Sequence, residues 1–289
     1  MNNRALKNSG FTLIEIAIVL VVLTILLGYT MAMVPVQQEL KQYQQANKEM
    51  DLILESLYAF AQTKGYLPCP AWSSDITNPT PTNTSNGLEC RGDDATAKNC
   101  DGSDPSADKC DVLLGYLPGK TLGLNGHYSA VNQLLLDPWG QPYLYRITNV
   151  TVAANEVFTL TNGIKTVVQN TGFYDLNPDL TICSADPSST SEGSDSKCTN
   201  ATQTVFGASS SPCSATDTHC AVAVVLSKGK NKLGNASGTS WVQRENLDDD
   251  EVFVKTTYTD AANSEYDDVV KWVSPNVLYS KMIDAGQLP

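Results

Sequence analysis

The sequence predicts an α+β fold, one long N-terminal helix packed on an antiparallel β-sheet. Three observations carry that expectation. An apolar run opens the chain, helical spacing continues beyond it to about residue 64, and short strand-like runs fill the later half. One long helix followed by a run of strands is the pattern of α+β domains. With 289 residues the chain holds one large domain or two small ones, at roughly 100–200 residues each.

The helix comes first. Phe11 to Val34 reads FTLIEIAIVLVVLTILLGYTMAMV and holds a single charge, Glu15. At 1.5 Å per residue the run reaches about 36 Å, enough for a hydrocarbon core of ~30 Å. Arg4 and Lys7 precede it, which directs that end to the cytoplasm and the bulk of the chain outside. A cleaved secretory signal has a shorter apolar core and a small-residue site after it, whereas here Gly10 stands before the run. A carboxylate inside such a segment costs on the order of 2.5–3.5 kcal/mol and usually has a function.

Past the apolar run, Leu40, Tyr43, Ala46, Met50, Ile53, Leu54, Leu57 and Phe60 recur at three- and four-residue steps. That spacing marks an amphipathic helix. Gly65 is a plausible end cap, with Pro68 and Pro70 beyond it. The helix is therefore expected over 11–64, bent near Gly28 or Pro35. Its first half would span lipid, and its second half would lay a stripe on a globular domain, 65–289.

Strands are expected at Tyr143–Ile147, Val157–Leu160, Ile164–Val168, Cys220–Leu226, Val252–Tyr258 and Val269–Val273, from alternation or β-branched enrichment. Ser274-Pro275 reads as an N-cap and first position of a final helix, about Pro275–Ile283. Asp137-Pro-Trp-Gly-Gln-Pro-Tyr143 is a dense turn in which Pro138 presets φ and Gly140 can take φ > 0.

Residues 73–111 and 184–218 are rich in Ser, Thr, Asn, Asp, Gly and Pro and are read as long surface insertions. Such loops are uncommon in compact domains unless functional or stapled. Staples are available: Cys69, Cys90, Cys100, Cys110, Cys183, Cys198, Cys213 and Cys220 are even in number and never form CxxC. That pattern suits an oxidising compartment. Eight cysteines allow roughly a hundred pairings and the sequence does not choose among them. Cys69 with Cys110 and Cys213 with Cys220 are the pairs we single out. Spacings of about ten residues are not those of a zinc site.

Composition narrows the function. Lys plus Arg is 19 against 31 for Asp plus Glu, a net charge of −12. A duplex nucleic-acid binder needs a basic footprint, so no nucleic-acid partner is expected. Two histidines, His127 and His219, leave little for metal hydrolysis or Ser-His-Asp chemistry. Gly115-Tyr-Leu-Pro-Gly-Lys-Thr121 has one residue too few between its glycines for a phosphate loop. No catalytic motif stands out, and the chain is read as a non-enzyme. The acidic run Glu245-Asn-Leu-Asp-Asp-Asp-Glu251 clusters hard oxygen donors of the kind that calcium takes. Asp248 and Asp250 are its best ligand candidates, with a solvated acidic loop as the alternative. No cofactor is otherwise required.

Ser9-Gly-Phe-Thr-Leu-Ile-Glu15, with the basic leader before it and the apolar run after it, resembles the prepilin cleavage and methylation site of type IV pilins and type II secretion pseudopilins. The resemblance implies cleavage of leader 1–10 between Gly10 and Phe11 by a prepilin peptidase, and N-methylation of Phe11. It makes Glu15 the acid five residues into the mature chain. An amine and a carboxylate in an apolar setting cost less paired than apart, so Glu15 can meet the Phe11 amine of a neighbour. That contact is head-to-tail and does not close, which builds a filament. Loss of Arg4 and Lys7 leaves 17 cations against 31 acids, a net −14. Asp137–Tyr143 is similar to the DPWG-x-P-Y turn of major type II secretion pseudopilins, which hold calcium in an acidic loop downstream.

The resemblance implies a pilin-like fold and a structural minor pilin or pseudopilin, placed at a filament tip or in a priming complex. Its partners would be other subunits, the peptidase and an inner-membrane assembly platform. It would sit in the inner membrane by a single pass, with the C-terminal domain in the periplasm, before entering a pilus or secretion pseudopilus. The alternative is a tip adhesin or ligand-binding protein that uses the same anchor and puts its specificity in the insertions.

Overall fold

A computed structural model describes residues 12–72, 86–91, 109–110, 112–152, 155–184, 203–206, 220–231, 240–247, 250–259 and 265–289. Leader 1–10 and most of insertions 73–111 and 184–218 lie outside them. Side chains of 28–36 are also outside, and with them the bend expected near Gly28 or Pro35. The chain forms two compact units, Met1–Gln45 and Ala46–Pro289. Helix α1, Leu13–Lys64, contributes to both.

In the first unit every described apolar side chain from Leu13 to Leu27 is exposed. In the second unit Ala46, Met50, Ile53, Leu57, Tyr58 and Ala61 are buried, a stripe at helical steps. Leu40, placed on that stripe by its spacing, is exposed instead. Helix α1 ends as expected: Gly65 takes φ +80° and its N–H reaches the Ala61 carbonyl at 2.8 Å. Glycine takes this conformation without the cost a Cβ would impose.

The rest of the second unit is mostly β. The strands are β1 (Leu114–Tyr116), β2 (Leu144–Ile147), β3 (Thr151–Val152), β4 (Asn155–Glu156), β5 (Thr181–Ser184), β6 (Gln203–Phe206), β7 (Ala223–Ser227), β8 (Val252–Val254) and β9 (Val269–Val273). Helix α2 is Gly163–Thr171, α3 is Trp241–Glu245 and α4 is Pro275–Asp284. The main sheet runs β1-β2-β7-β9, antiparallel throughout. Strand β7 is interior and buried along its length, which is why it reads as a continuous apolar run. Tyr116, Leu144, Val224, Leu226 and Val270 form one core with Leu180, Ile182 and Phe253.

The stripe of α1 is tied to the end of the chain. Lys271 of β9 donates to Asp51 and to the Asn47 carbonyl, and Lys281 of α4 pairs with Glu55 at 2.9 Å. Tyr143 donates to Glu49 at 2.8 Å, and the Gln287 amide to the Gln62 carbonyl at 3.0 Å.

Several expectations change. Ile164–Val168 is helical within α2, because Ile164, Val167 and Val168 recur at three and four residues and all face the core. Val157–Leu160 forms turns, not a strand. Insertion 184–218 contains β6, which pairs with β5. A second sheet, β6-β5-β8, joins β5 to β8 in parallel, so the β structure is not purely antiparallel. By contrast, β2, β7, β9 and α4 lie where the sequence puts them, and Pro275 opens α4 after Ser274.

The described base of insertion 73–111 is stapled. Cys69 and Cys110 form a disulfide, and Arg91 pairs with Cys110 as a β-bridge. The buried Arg91 guanidinium meets Glu89 at 2.9 Å, the Thr159 carbonyl at 2.8 Å and the Tyr66 ring at 4.6 Å. Closing a loop with a sequence separation of 41 removes about 4 kcal/mol of unfolded-state freedom in the chain-entropy picture. Cys90, Cys183 and Cys220 are disulfide-bonded as well. Cys100, Cys198 and Cys213 lie outside the described residues, and with them the expected Cys213–Cys220 pair.

Candidate functional site

The N-terminal end of α1 is the first candidate. The Thr12 N–H and the Thr12 hydroxyl both donate to Glu15 Oε2 at 2.9 Å. The Glu15 N–H returns to Thr12 Oγ1 at 3.4 Å. This is a reciprocal capping box, which satisfies N–H groups that a helix start otherwise leaves without partners. Thr12 was missed in the sequence, although Thr-x-x-Glu before an apolar run is its signature. Glu15 Oε1 has no partner among the described residues. The carboxylate therefore holds its own helix with one oxygen and offers the other. Gly10 and Phe11 lie outside the described residues.

From Leu13 to Leu27 the helix is apolar on every side, and Leu13 is 88 % exposed. Thr24, a polar residue in that stretch, satisfies its hydroxyl locally on the Val21 carbonyl at 2.8 Å. An apolar surface of this kind belongs against lipid or other helices. Among the described residues no helix is long and apolar enough to cross a membrane. Leu13–Leu27 reaches about 22 Å against ~30 Å of hydrocarbon. The longer expected run to Val34 passes through side chains outside the description.

The acidic run is the second candidate, and its described members are mostly in structural use. Glu245 and Asn246 are buried. Asn246 receives the Val254 N–H at 2.7 Å and donates to the Val254 carbonyl and to Asp268. Asp250 Oδ1 takes the Val252 N–H at 2.8 Å, and Glu251 faces Arg146 at 3.6 Å. Asp248 lies outside the described residues. Among the described residues no group of three or more His, Cys, Asp or Glu is arranged to hold a metal.

A third cluster was not anticipated. Asp267 accepts from Asn231 N–H at 2.7 Å and from the Gln243 amide at 2.6 Å, while Asn231 reaches Gln243 at 3.2 Å. Burial pushes the neighbouring Asp268 carboxyl up to about 8, against the bond from Asn246 and the Lys228 cation. Burial likewise pushes Lys228 down and Asp267 up. A Cβ on Gly229 would stand 2.3 Å from the Asp267 carbonyl, so the loop after β7 closes on the start of β9 only with glycine there. The cluster draws on three segments distant in sequence, which no local motif reveals. Its bonds are mutual, and its role is to lock α3, β9 and the β7 loop together.

The dense turn is built as its residues imply. Asp137 Oδ1 accepts from Trp139 and Gln141 N–H groups at 3.0 and 2.8 Å, and Gly140 takes φ +80°. The other oxygen receives the Ser227 hydroxyl at 2.6 Å, tying the entry of β2 to the end of β7. Burial raises the Asp137 carboxyl, and these bonds oppose the rise.

Neither a curated protein nor a solved structure matches this chain. A family model does match, over residues 6–31: the prokaryotic N-terminal methylation motif. It covers the expected cut, Thr12 and Glu15, and such a motif entails processing by a peptidase, membrane anchoring and assembly with other pilin-type subunits. Residues 6–31 of this chain thus carry the prokaryotic N-terminal methylation motif, the type IV prepilin-like signal.

Proposed function

We propose that the chain is a structural minor pilin or pseudopilin, with no reaction of its own. Prepilin peptidase cuts between Gly10 and Phe11 and the new Phe11 amine is methylated. The mature subunit stands in the inner membrane by a single pass, with the body in the periplasm. An assembly platform then moves it into a type IV pilus or a type II secretion pseudopilus, at the tip or in a priming complex. The observation that carries this reading is Glu15: it lies inside the methylation motif, at the start of an exposed apolar helix, with one carboxylate oxygen to spare. A body with two long insertions is awkward at every position of a thin filament, which favours a minor subunit.

Mass spectrometry of the mature protein should begin at methyl-Phe11. A Met1 start in cells with active peptidase overturns the proposal. Glu15→Ala should still be cleaved and inserted but should lose at least about tenfold in sheared filament fractions, since a neighbour's buried amine then lacks its counter-charge. Wild-type incorporation would remove the pairing step.

Calcium at Asp248 and Asp250 is a further part of the proposal. Binding to the folded form alone adds about 2.7 kcal/mol at a hundredfold excess over Kd. The melting temperature should therefore rise in millimolar calcium over chelator, less so in magnesium, and not at all in the double alanine variant. Equal melting in calcium and chelator sinks the metal site.

A further inference from the structure

We propose that the cleft between the 3-10 turn Phe173–Asp175 and helix α4 is a binding site for a neutral saccharide. The cleft has a volume of about 580 Å³, within the usual range for small-molecule sites. Asn276, Ser280 and Asp284 line it from α4. They stand at i, i+4 and i+8, so they form one row along the helix, about 12 Å long. All three are exposed, and none has a side-chain hydrogen bond or ion pair among the described residues. The described part of the fold makes no use of this polar row.

Aromatic rings supply the other wall. Tyr174 is 66 % exposed and contributes little to the core. Phe173 packs on Tyr279 with ring centroids 5.3 Å apart. Tyr279 lines the cleft, and its enclosed hydroxyl has no hydrogen-bond partner among the described residues. Buried tyrosine hydroxyls ordinarily find one. An amide, a hydroxyl and a carboxylate in a row beside aromatic faces match a pyranose chain. Its hydroxyls exchange hydrogen bonds with the row, and its C–H faces lie on the rings.

Other ligand classes fit less well. No cation is among the described lining residues, so an anionic ligand would face Asp284 without compensation. An apolar peptide or acyl chain would strip water from the polar row and leave it unpaired. An organic cation would use Asp284 and the rings but leave Asn276 and Ser280 idle. The inference goes beyond the subunit role and does not rest on it, so failure of the Glu15 test leaves it standing.

The test is saturation-transfer NMR on the full chain in sugar-free polyoxyethylene-ether micelles, with maltose, lactose and chitobiose as probes and choline as the competing class. We expect transfer to the ring C–H protons of at least one disaccharide. Its Kd should rise at least tenfold in Tyr174→Ala and in Asp284→Asn, and stay unchanged in Tyr258→Ala, an exposed tyrosine outside this cleft. Unchanged melting temperatures keep the comparison clean, because Tyr174 and Asp284 are exposed. Absence of transfer to all three sugars overturns the proposal. So does transfer indifferent to Tyr174→Ala, or choline binding that needs Tyr174 when sugars do not bind.

Discussion

Leu20 and Leu57 lie on the same helix, yet Leu20 is 56 % exposed and Leu57 is fully buried. Around Leu20 the apolar residues are consecutive and none is covered. Around Leu57 they are spaced by three and four, with Asp51, Glu55 and Lys64 exposed between and beyond them. The first pattern has no polar face and therefore no preferred inside; it suits an environment apolar on all sides. The second has one face for a core and one for water. The apolar residue types are similar in the two stretches, and the polar residues placed between them in the second separate a surface kept for partners from one used within the fold.

The largest expected effect tests that division directly. Leu57→Ala removes a buried side chain and should destabilise the body by about 2–5 kcal/mol, a drop of roughly 5–15 °C in Tm for a body of this size. Leu20→Ala should leave the melting of the body within about 0.5 kcal/mol of wild type but weaken filament incorporation. Thermal unfolding in micelles and filament yield measure the two. Equal melting losses in both variants would mean that Leu20 is also a core residue.

The same contrast explains what the sequence made legible. Long regular patterns were readable: α1 by its two spacings, β7 by its unbroken apolar run, α4 by Ser274-Pro275. Short elements were not. Strand β1 spans three residues and includes Gly115, whose added Cβ would meet the Ala71 carbonyl at 2.5 Å, so close backbone approach rather than side-chain pattern defines it. In α2 a β-branched run, Ile164 to Val168, satisfied strand and helix templates alike over so few residues. At the assembly site Glu15 was legible as a charge where none belongs. Thr12 was not, because a single neutral threonine at the edge of an apolar run carries no anomalous charge.

An intermediate effect comes from the body's buried acids, which have no counterpart among the described residues of the apolar stretch. Asp268 holds its proton far more tightly folded, near 8, than unfolded, near 4. Between those values the unfolded chain has released the proton and the folded chain has not. Stability must therefore fall as pH rises from about 4 to about 8 and level off above. Asp137, Glu156, Asp179 and Asp267 are shifted the same way by burial, so Asp268→Asn should reduce the slope of Tm against pH without abolishing it. The asparagine keeps an oxygen for the Asn246 amide. Superimposable pH profiles would show that Asp268 is ionised in the folded protein.

The smallest effect probes the start of the apolar half without touching its apolar surface. Thr12 and Glu15 both lie beyond the expected cut, so the capping box survives processing. Thr12→Ala removes the oxygen that accepts the Glu15 N–H and one of the two donors to Glu15 Oε2. Loss of such a cap costs about 1 kcal/mol, which makes the opened first turn about fivefold more populated. Amide hydrogen exchange of Glu15 and Ile16, whose N–H groups reach Thr12, should quicken by that factor in micelles, while the Tm of the body stays constant. Thr12→Ser keeps the hydroxyl and should exchange as wild type does. A quickening in the serine variant as large as in alanine would assign the effect to the lost methyl group. Unchanged exchange in both would mean that Glu15 is not engaged by its own helix, and that its carboxylate is wholly available to a neighbouring subunit.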